Sequence, residues 1–422
     1  MTASNRQIGF VSTRLAGTDG VSLETAKWVR VLEDRHFQCF YFAGESDLPP
    51  DVSYVVPEAH FSHPDIRAME KGLFDTDRRS PDISREVGRL KDHLKHHLYR
   101  FIEQFGIDVL IVENALAIPM NIPLGLALTE VIAETCIPTI AHHHDFAWER
   151  SRFSVTAADD YLRAAFPPTL RSIRHVVINS FAAHQLALRT GEGSVLIPNV
   201  MDFANPPPPA DGYTADLRQA LGIAQDEIML LQPTRVVPRK QIEHAIDLTA
   251  RLGEGAVLVI SHAAGDEGLA YELYLRQYAT VRGARVLFAA NRFNHVRRLD
   301  EEGHKIYSLG DAYAVADIVT YPSRIEGFGN AFLEALYYRK PVVLNTYEIF
   351  KTDIQPKGFR VIGFDEYITE QTVQQVRELL HDQAQIAEIV EHNYELGRRY
   401  YSYGALEYRL SAFLCEFLGI EC

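Results

Sequence analysis

Short, unalternating apolar runs recur along the first half of the chain. Between them lie stretches whose apolar residues fall three and four apart. Gln7 to Ser12 is the first such run; after a glycine-containing loop from Leu15 to Ser22, Ala26, Val29 and Leu32 carry a helical spacing. Phe37 to Ala43 reads as a second strand, and Asp108 to Glu113, Pro138 to His142 and His175 to Ser180 as further ones. Runs that are apolar at every position suit strands buried on both faces, as in a parallel sheet covered by helices. The alternation of strand and helix predicts an α/β domain of doubly wound type.

The pattern breaks from Asp202 to Gly212, where the proline run Pro206 to Pro209 excludes helix and central strand. A proline run acts as a semi-rigid spacer, so a linker is expected at residues 204–213. The alternation then restarts. Ile228 to Gln232 reads as a strand and Gln241 to Leu252 as a helix, followed by strands at Ala256 to Ile260, Arg285 to Ala289, Ala316 to Tyr321 and Pro341 to Asn345. A length of 422 residues suits two domains, placed at residues 1–203 and 214–395. Residues 396–422, with a helix from Ala405 to Leu418, follow the second.

Composition narrows the classes of function. The chain is 47% hydrophobic and 23% charged, as soluble globular proteins are. Its net charge of −14 argues against nucleic acid or an anionic membrane as the main partner. The basic stretch Arg89 to Arg100 carries Leu90, Leu94 and Leu98 at helical spacing, continued by Phe101, and reads as a helix packed on a sheet rather than lying on a membrane. No apolar run approaches a membrane span, and the start, MTASNRQIGF, does not resemble a signal peptide, so a cytoplasmic protein is expected. Cys39, Cys136, Cys415 and Cys422 are scattered and read as reduced thiols.

The chemistry concentrates between Tyr321 and Pro341. An apolar strand stops at Pro322-Ser323, a glycine-spaced turn Glu326-Gly327-Phe328-Gly329-Asn330 follows, and a helical stretch carries a second acid, Glu334. Strand, tight loop and helix put backbone N–H groups and a helix N-terminus at the carboxyl end of a strand, where open α/β sheets bind anions. The two carboxylates would repel phosphate but suit sugar hydroxyls on either side of a diphosphate. Upstream, Pro233 to Lys240 occupies the first strand-to-helix turn of the second domain, with Arg235 and Lys240 placed to stabilise a departing diphosphate.

The two acids, with seven residues between them and Gly-Phe-Gly-Asn inside, resemble the donor-site signature of glycosyltransferase family 4, retaining enzymes of the GT-B fold. That resemblance implies two doubly wound Rossmann-like domains facing across a cleft, with the terminal helix crossing back to the first. It implies that Glu326 sits against the donor sugar and Glu334 on the ribose. Arg235, Lys240 and the amides of Gly327, Phe328, Gly329 and Asn330 would then hold the diphosphate, which Gly20 of the first loop also approaches. The family usually has glycine after the lysine, where Gln241 stands here. His144-Asp145 resembles the family's His-Asp pair, which makes His144 a donor-sugar contact and, with Glu326, a catalytic candidate. His142, His143, Asp145, Trp148, Glu149 and Arg150 would line the acceptor side. Adjacent residues on an extended strand point to opposite faces, so three consecutive histidines do not converge on one ion; neither a metal nor a resident cofactor is expected.

The resulting expectation is a retaining, metal-independent hexosyltransferase. Its donor would be of the UDP-glucose or GDP-mannose type and its acceptor a small soluble sugar, sugar acid or sugar phosphate. Two other readings share the donor grip: a nucleotide-sugar epimerase or hydrolase of the same fold, and a non-catalytic nucleotide-sugar sensor. A metal-dependent transferase of the other common fold needs Asp-x-Asp at the end of a strand, and Asp75-Thr76-Asp77 lies in a polar stretch without one. The first loop does not carry the G-x-G-x-x-G pattern of a dehydrogenase.

Overall fold

The computed structural model describes residues 6–17, 19–264 and 269–418. The chain divides into two compact units: residues up to Asn199 together with those from Leu406 on, and Val200–Ala405.

The first unit is built on seven strands: β1 (Gln7–Val11), β2 (Gln38–Ala43), β3 (Ser53–Val55), β4 (Val109–Glu113), β5 (Thr139–His143), β6 (Ile173–Val177) and β7 (Ser194–Leu196). All pair in parallel, in the order β3-β2-β1-β4-β5-β6-β7. Strand order reverses between β1 and β4, so their carboxyl ends flank the crevice where such sheets bind ligands. β4 is buried at every position, its apolar run of four closed by a buried acid, Glu113. The basic stretch lies in the helix Pro81–Phe105, which starts under Ser80 and stops at the left-handed Gly106. Leu90, Leu94, Leu98 and Phe101 are buried, while Lys91 and Lys95 reach Glu130 of the helix Ile122–Thr135 at 2.6 and 2.9 Å. Its apolar stripe is therefore core.

The second unit carries β8 (Ile228–Gln232), β9 (Ala256–Ile260), β10 (Val286–Phe288), the short β11 (Phe293–Asn294), β12 (Arg298–Leu299) and β13 (Lys305–Ser308), then β14 (Ile318–Tyr321), β15 (Val342–Asn345) and β16 (Ile362–Phe364). Six form a parallel sheet in the order β10-β9-β8-β14-β15-β16, and β11, β13 and β12 form a small separate one. Here the order reverses between β8 and β14, the two strands that precede the loops of Arg235–Lys240 and Glu326–Asn330. No helix or strand interrupts residues 202–213, which include the four prolines.

Some boundaries differ from the expected ones. β6 ends at Val177 rather than Ser180, because Asn179 turns its side chain onto the amide of Ala182 (2.7 Å) and starts the helix Ser180–Thr190. The last helix, Tyr403–Leu418, passes from the second unit into the first, burying Leu406, Leu410, Phe413 and Leu414. Cys39 and Cys136 are free, whereas Cys415 is disulfide-bonded, contrary to the expectation of reduced thiols throughout; Cys422 lies outside the described residues. Among the described residues no helix is long and apolar enough to cross a membrane.

Candidate active site

In the second unit the site grows from the ends of β8 and β14. After β8 the chain runs through Pro233–Val237 into a single turn, Pro238–Lys240, and then the helix Glu243–Leu252. The amide of Arg324 donates to the carbonyl of Arg239 at 3.0 Å, tying this loop to the one after β14. Lys240 Nζ pairs with Glu326 Oε1, and Arg239 Nη1 lies 3.4 Å from the other carboxylate oxygen. The Lys240 and Glu326 side chains are only 10% and 9% exposed, so each charge depends on its partner. Burial alone would raise the Glu326 carboxyl, but Lys240 and Arg239 outweigh it and hold the group below its usual range. Burial lowers the Lys240 ammonium against the lift from Glu326, helped by the charges of Arg239 and Arg235. Arg235 is exposed on the same loop. At the end of β9, burial and the charges of Arg235 and Lys240 push the His262 imidazole down to about 4.

The glycine turn is shaped by a tyrosine. Tyr347 donates from its hydroxyl to the carbonyl of Phe328 at 2.7 Å. Gly329 has φ +125°, and a Cβ there would run into that hydroxyl, so the position requires glycine. Phe328 turns its ring inward against Tyr401, 5.1 Å between centroids, leaving its backbone to the loop. The helix Asn330–Tyr337 begins at Gly329 without a side-chain cap. The helix Gly20–Asp34 of the first unit differs: Asp19 accepts from the amides of Val21 and Ser22 at 3.0 and 3.2 Å, next to the exposed Gly20. Glu334 accepts from the hydroxyl of Tyr313 at 2.8 Å; that ring is fully buried and stacked on Tyr338 at 4.8 Å.

In the first unit, register assembles the site. β4 and β5 pair Glu113 with His142, so both side chains lie on one face of the sheet. His144, two residues on, returns to that face. Glu113 Oε2 accepts from His142 Nδ1 at 2.9 Å and from His144 Nε2 at 3.0 Å. Burial raises the Glu113 carboxyl, but the two histidines more than offset it and hold it at about 2. Burial lowers His144, and the bond to Glu113 with the charges of Glu24 and Asp145 carries it above its ordinary value. The Trp28 indole stacks on His142 at 4.3 Å. Asn114 accepts from the amide of His144 at 3.0 Å and donates to Asp145 Oδ1 at 2.9 Å, while Asp145 Oδ2 takes Arg150 Nε at 2.6 Å.

His143 is a correction. The expectation put it on the acceptor side, but strand alternation turns it to the opposite face, 1% exposed, where Nε2 bonds His175 Nδ1 at 2.9 Å. His142 is likewise fully buried and lines no surface. His144 is one-tenth exposed, and the Asp145 and Arg150 side chains 19% and 47%. The ligating atoms of Glu113, His142 and His144 lie within 4.8 Å of one another, among the described residues the one group of three able to hold a metal ion. As they stand, the two rings share one carboxylate oxygen as a hydrogen-bonded array. Sequence reasoning missed Glu113, Asn114, Trp28, Tyr313, Tyr347 and His262, and gave Arg239 no role. Only Glu113, an acid closing an otherwise apolar run, left a visible signal.

Residues 214–396 match the family model described as glycosyl transferases group 1. The chain is 33% identical to a mannosylglucosylglycerate synthase of Petrotoga mobilis, over 85% of this chain and 86% of that protein. It is 32% identical to a mannosylglucosylglycerate synthase of Thermotoga maritima, over 96% of this chain and 99% of that one. Among solved structures it resembles Anabaena HepE in complex with UDP-glucose, with a TM-score of 0.67 and 14% identity, covering 97% of this chain and 99% of that chain.

Proposed function

The chain belongs to the group 1 glycosyl transferases, the GT-B enzymes of glycosyltransferase family 4, and we propose that it moves a hexose, with retention and without a metal ion, from a nucleotide-sugar to a small acceptor bearing a carboxylate. The observation that carries the reading is the Lys240–Arg239–Glu326 cluster, where strand order reverses beside a helix start without a side-chain cap. A buried cation and a buried carboxylate side by side suit a ligand that is itself anionic at the diphosphate and hydroxylic at the sugar.

In this reading Arg235, Lys240 and the backbone from Gly327 to Asn330 take the charge that develops on the diphosphate. Glu334 holds a ribose hydroxyl, and Glu326 faces the sugar as positive charge develops at its anomeric carbon. The bond from that carbon to the phosphate oxygen breaks. A bond to the acceptor oxygen forms on the same face, and the acceptor's proton passes to the departing phosphate. Gly20 and His144 contribute contacts to the donor, and Asp145 with Arg150 contacts to the acceptor. Arg150 is the cation of that set, which supports an acidic acceptor. The relatives are named for a product combining mannose, glucose and glyceric acid; this supports a mannosyl donor, UDP-glucose being the other candidate type, and a glucosylglycerate-like acceptor.

The test is calorimetric binding of guanosine, uridine and adenosine diphosphates in a chelator, followed by transfer from the matching nucleotide-sugar to glucosylglycerate and to its neutral amide. One nucleotide binding tightly, an axial donor bond conserved in the product, and preference for the acid are expected. Strict dependence on magnesium, or inversion of the anomeric centre, overturns the mechanism. Equal use of the amide overturns the acceptor class.

A further inference from the structure

We propose that Glu113 and Asn114, consecutive residues where β4 ends, are positioning residues for the reaction. Glu113 sets the ring of His144, and Asn114 sets the backbone of His144 and the carboxylate of Asp145. The inference rests on the reading of His144 and Asp145 as substrate contacts and names what holds them.

Glu113 is completely buried, and removing a carboxylate from water is costly unless it is well paired. An apolar pair of similar shape would serve the sheet as well, so stability alone gives no reason for this acid. Its pairing is specific instead. One oxygen accepts from two imidazoles, and those rings lie 4.4 Å apart. By accepting the hydrogen bond from His144 Nε2–H, Glu113 leaves Nδ1 as the nitrogen available to a ligand and fixes the plane of the ring. Trp28 stacks on His142 at 4.3 Å, so the second imidazole is packed as well as hydrogen-bonded.

Asn114 works on the backbone. It sits at φ +61°, a left-handed conformation that asparagine tolerates better than most residues. Its amide donates to the carbonyl of His142 at 2.9 Å, and its side chain reaches forward to the amide of His144 and to Asp145. Asp145 holds Arg150 in turn. The last residue of β4 and the residue after it therefore fix His144, Asp145 and Arg150 by separate bonds: Glu113 the donor-contacting ring, Asn114 the acceptor-contacting ion pair.

The experiment uses the full chain and four variants: Glu113→Gln, Asn114→Gly, His144→Ala and the Glu113→Gln/His144→Ala double. Glycine accepts φ +61° without strain, so Asn114→Gly removes the side-chain bonds while sparing the turn. Thermal midpoints, nucleoside diphosphate affinity, kcat and both KM values are measured. Glu113→Gln is expected to lower kcat about 10-fold or more, the range seen when a supporting residue is removed, and to add less than about 2-fold once His144 is alanine. Asn114→Gly is expected to raise the acceptor KM about 10-fold and leave nucleoside diphosphate affinity unchanged. Losses at Glu113 and His144 that multiply in full, or an unchanged acceptor KM in Asn114→Gly, overturn the proposal. Full activity of His144→Ala removes the reading of His144 itself, and the positioning role of Glu113 falls with it. Loss of wild-type activity in a chelator, restored by a divalent ion but not in Glu113→Gln, would make the triad a cation site and overturn the role given to Glu113.

Discussion

Lys240 and Glu326 face each other as a buried pair, yet the proposed function assigns them to different parts of one ligand. A diphosphate reaching Lys240 must therefore compete with Glu326 for the ammonium. Glu326→Gln removes the competitor together with the charge that favours the transition state. The two effects have opposite signs: kcat should fall at least about 100-fold, while nucleoside diphosphate affinity should rise, because the buried Lys240 ammonium is left without its counter-charge until the diphosphate supplies one. Calorimetry beside steady-state kinetics checks this, and equal losses in both would remove Glu326 from the transition state. Lys240→Ala should weaken the same nucleotide about 10- to 100-fold, as loss of a charge-assisted bond does. Unchanged binding would take Lys240 out of the site. Lys240, Glu326 and Glu334 were legible in the sequence because one loop or one strand-loop-helix unit carries them. The pairings of Glu113 and Tyr313 were not, because each residue finds its partner 29 and 21 residues away through register or helix packing that local pattern does not encode.

At the scale of elements, the central strands were readable and most of the edges were not, although the edge strand β10 falls inside the predicted stretch Arg285 to Ala289. β4, β8 and β9 are buried at nearly every position and apolar but for the closing Glu113 and Gln232, as strands of a covered parallel sheet are, and β8 and β9 fall where the pattern put them. β3, β7 and β16 are three residues each, too short to show a period. Parallel pairing also explains a pH dependence in the first sheet. β5 and β6 place His143 and His175 on one face, where burial pushes His175 down to about 4 and His143 well below its ordinary value. A histidine whose folded value is depressed contributes fully above its unfolded value of 6.5 and loses that contribution as pH falls towards the folded value. With one pKa unit worth about 1.4 kcal/mol, protonating the unfolded chain alone costs the fold about 2 kcal/mol at pH 5 through His175. His175→Gln, which can still accept from His143, should flatten the decline in denaturant-measured stability between pH 7 and 5. An unaltered slope would assign that acid sensitivity to other groups.

On the scale of the whole molecule, the proline run marked a break in pattern, but the chain crosses between its units twice. The first crossing is at Asn199–Val200 and the second inside the helix Tyr403–Leu418. A periodic stretch of sequence says that a helix exists and not which body its apolar face covers, so the end of the chain was the least readable part of the architecture. Met201 bonds the carbonyl of Tyr401 at 2.8 Å and bridges to Ser402, so the two crossings run side by side within the second unit. Beyond them the helix belongs to the first unit, where Glu407 meets Arg35 at 3.5 Å and Arg409 donates to the carbonyl of Leu196 at 3.2 Å. Four buried side chains, Leu406, Leu410, Phe413 and Leu414, at about 1.5–3 kcal/mol each, amount to much of what a domain of this size has in total. Ending the chain after Ala405 should therefore lower the unfolding temperature of the first unit sharply. Arg235, Lys240, Glu326, Glu334 and the Gly327–Asn330 backbone all lie within Val200–Ala405, and the first unit is given only Gly20 and His144 as donor contacts, so guanosine or uridine diphosphate should still bind within about 2-fold and protect only the later transition. Calorimetric melting with and without nucleotide separates the two transitions. A single unchanged melt would mean that the helix adds nothing to the first unit, and lost nucleotide binding would mean that the second cannot hold the donor alone.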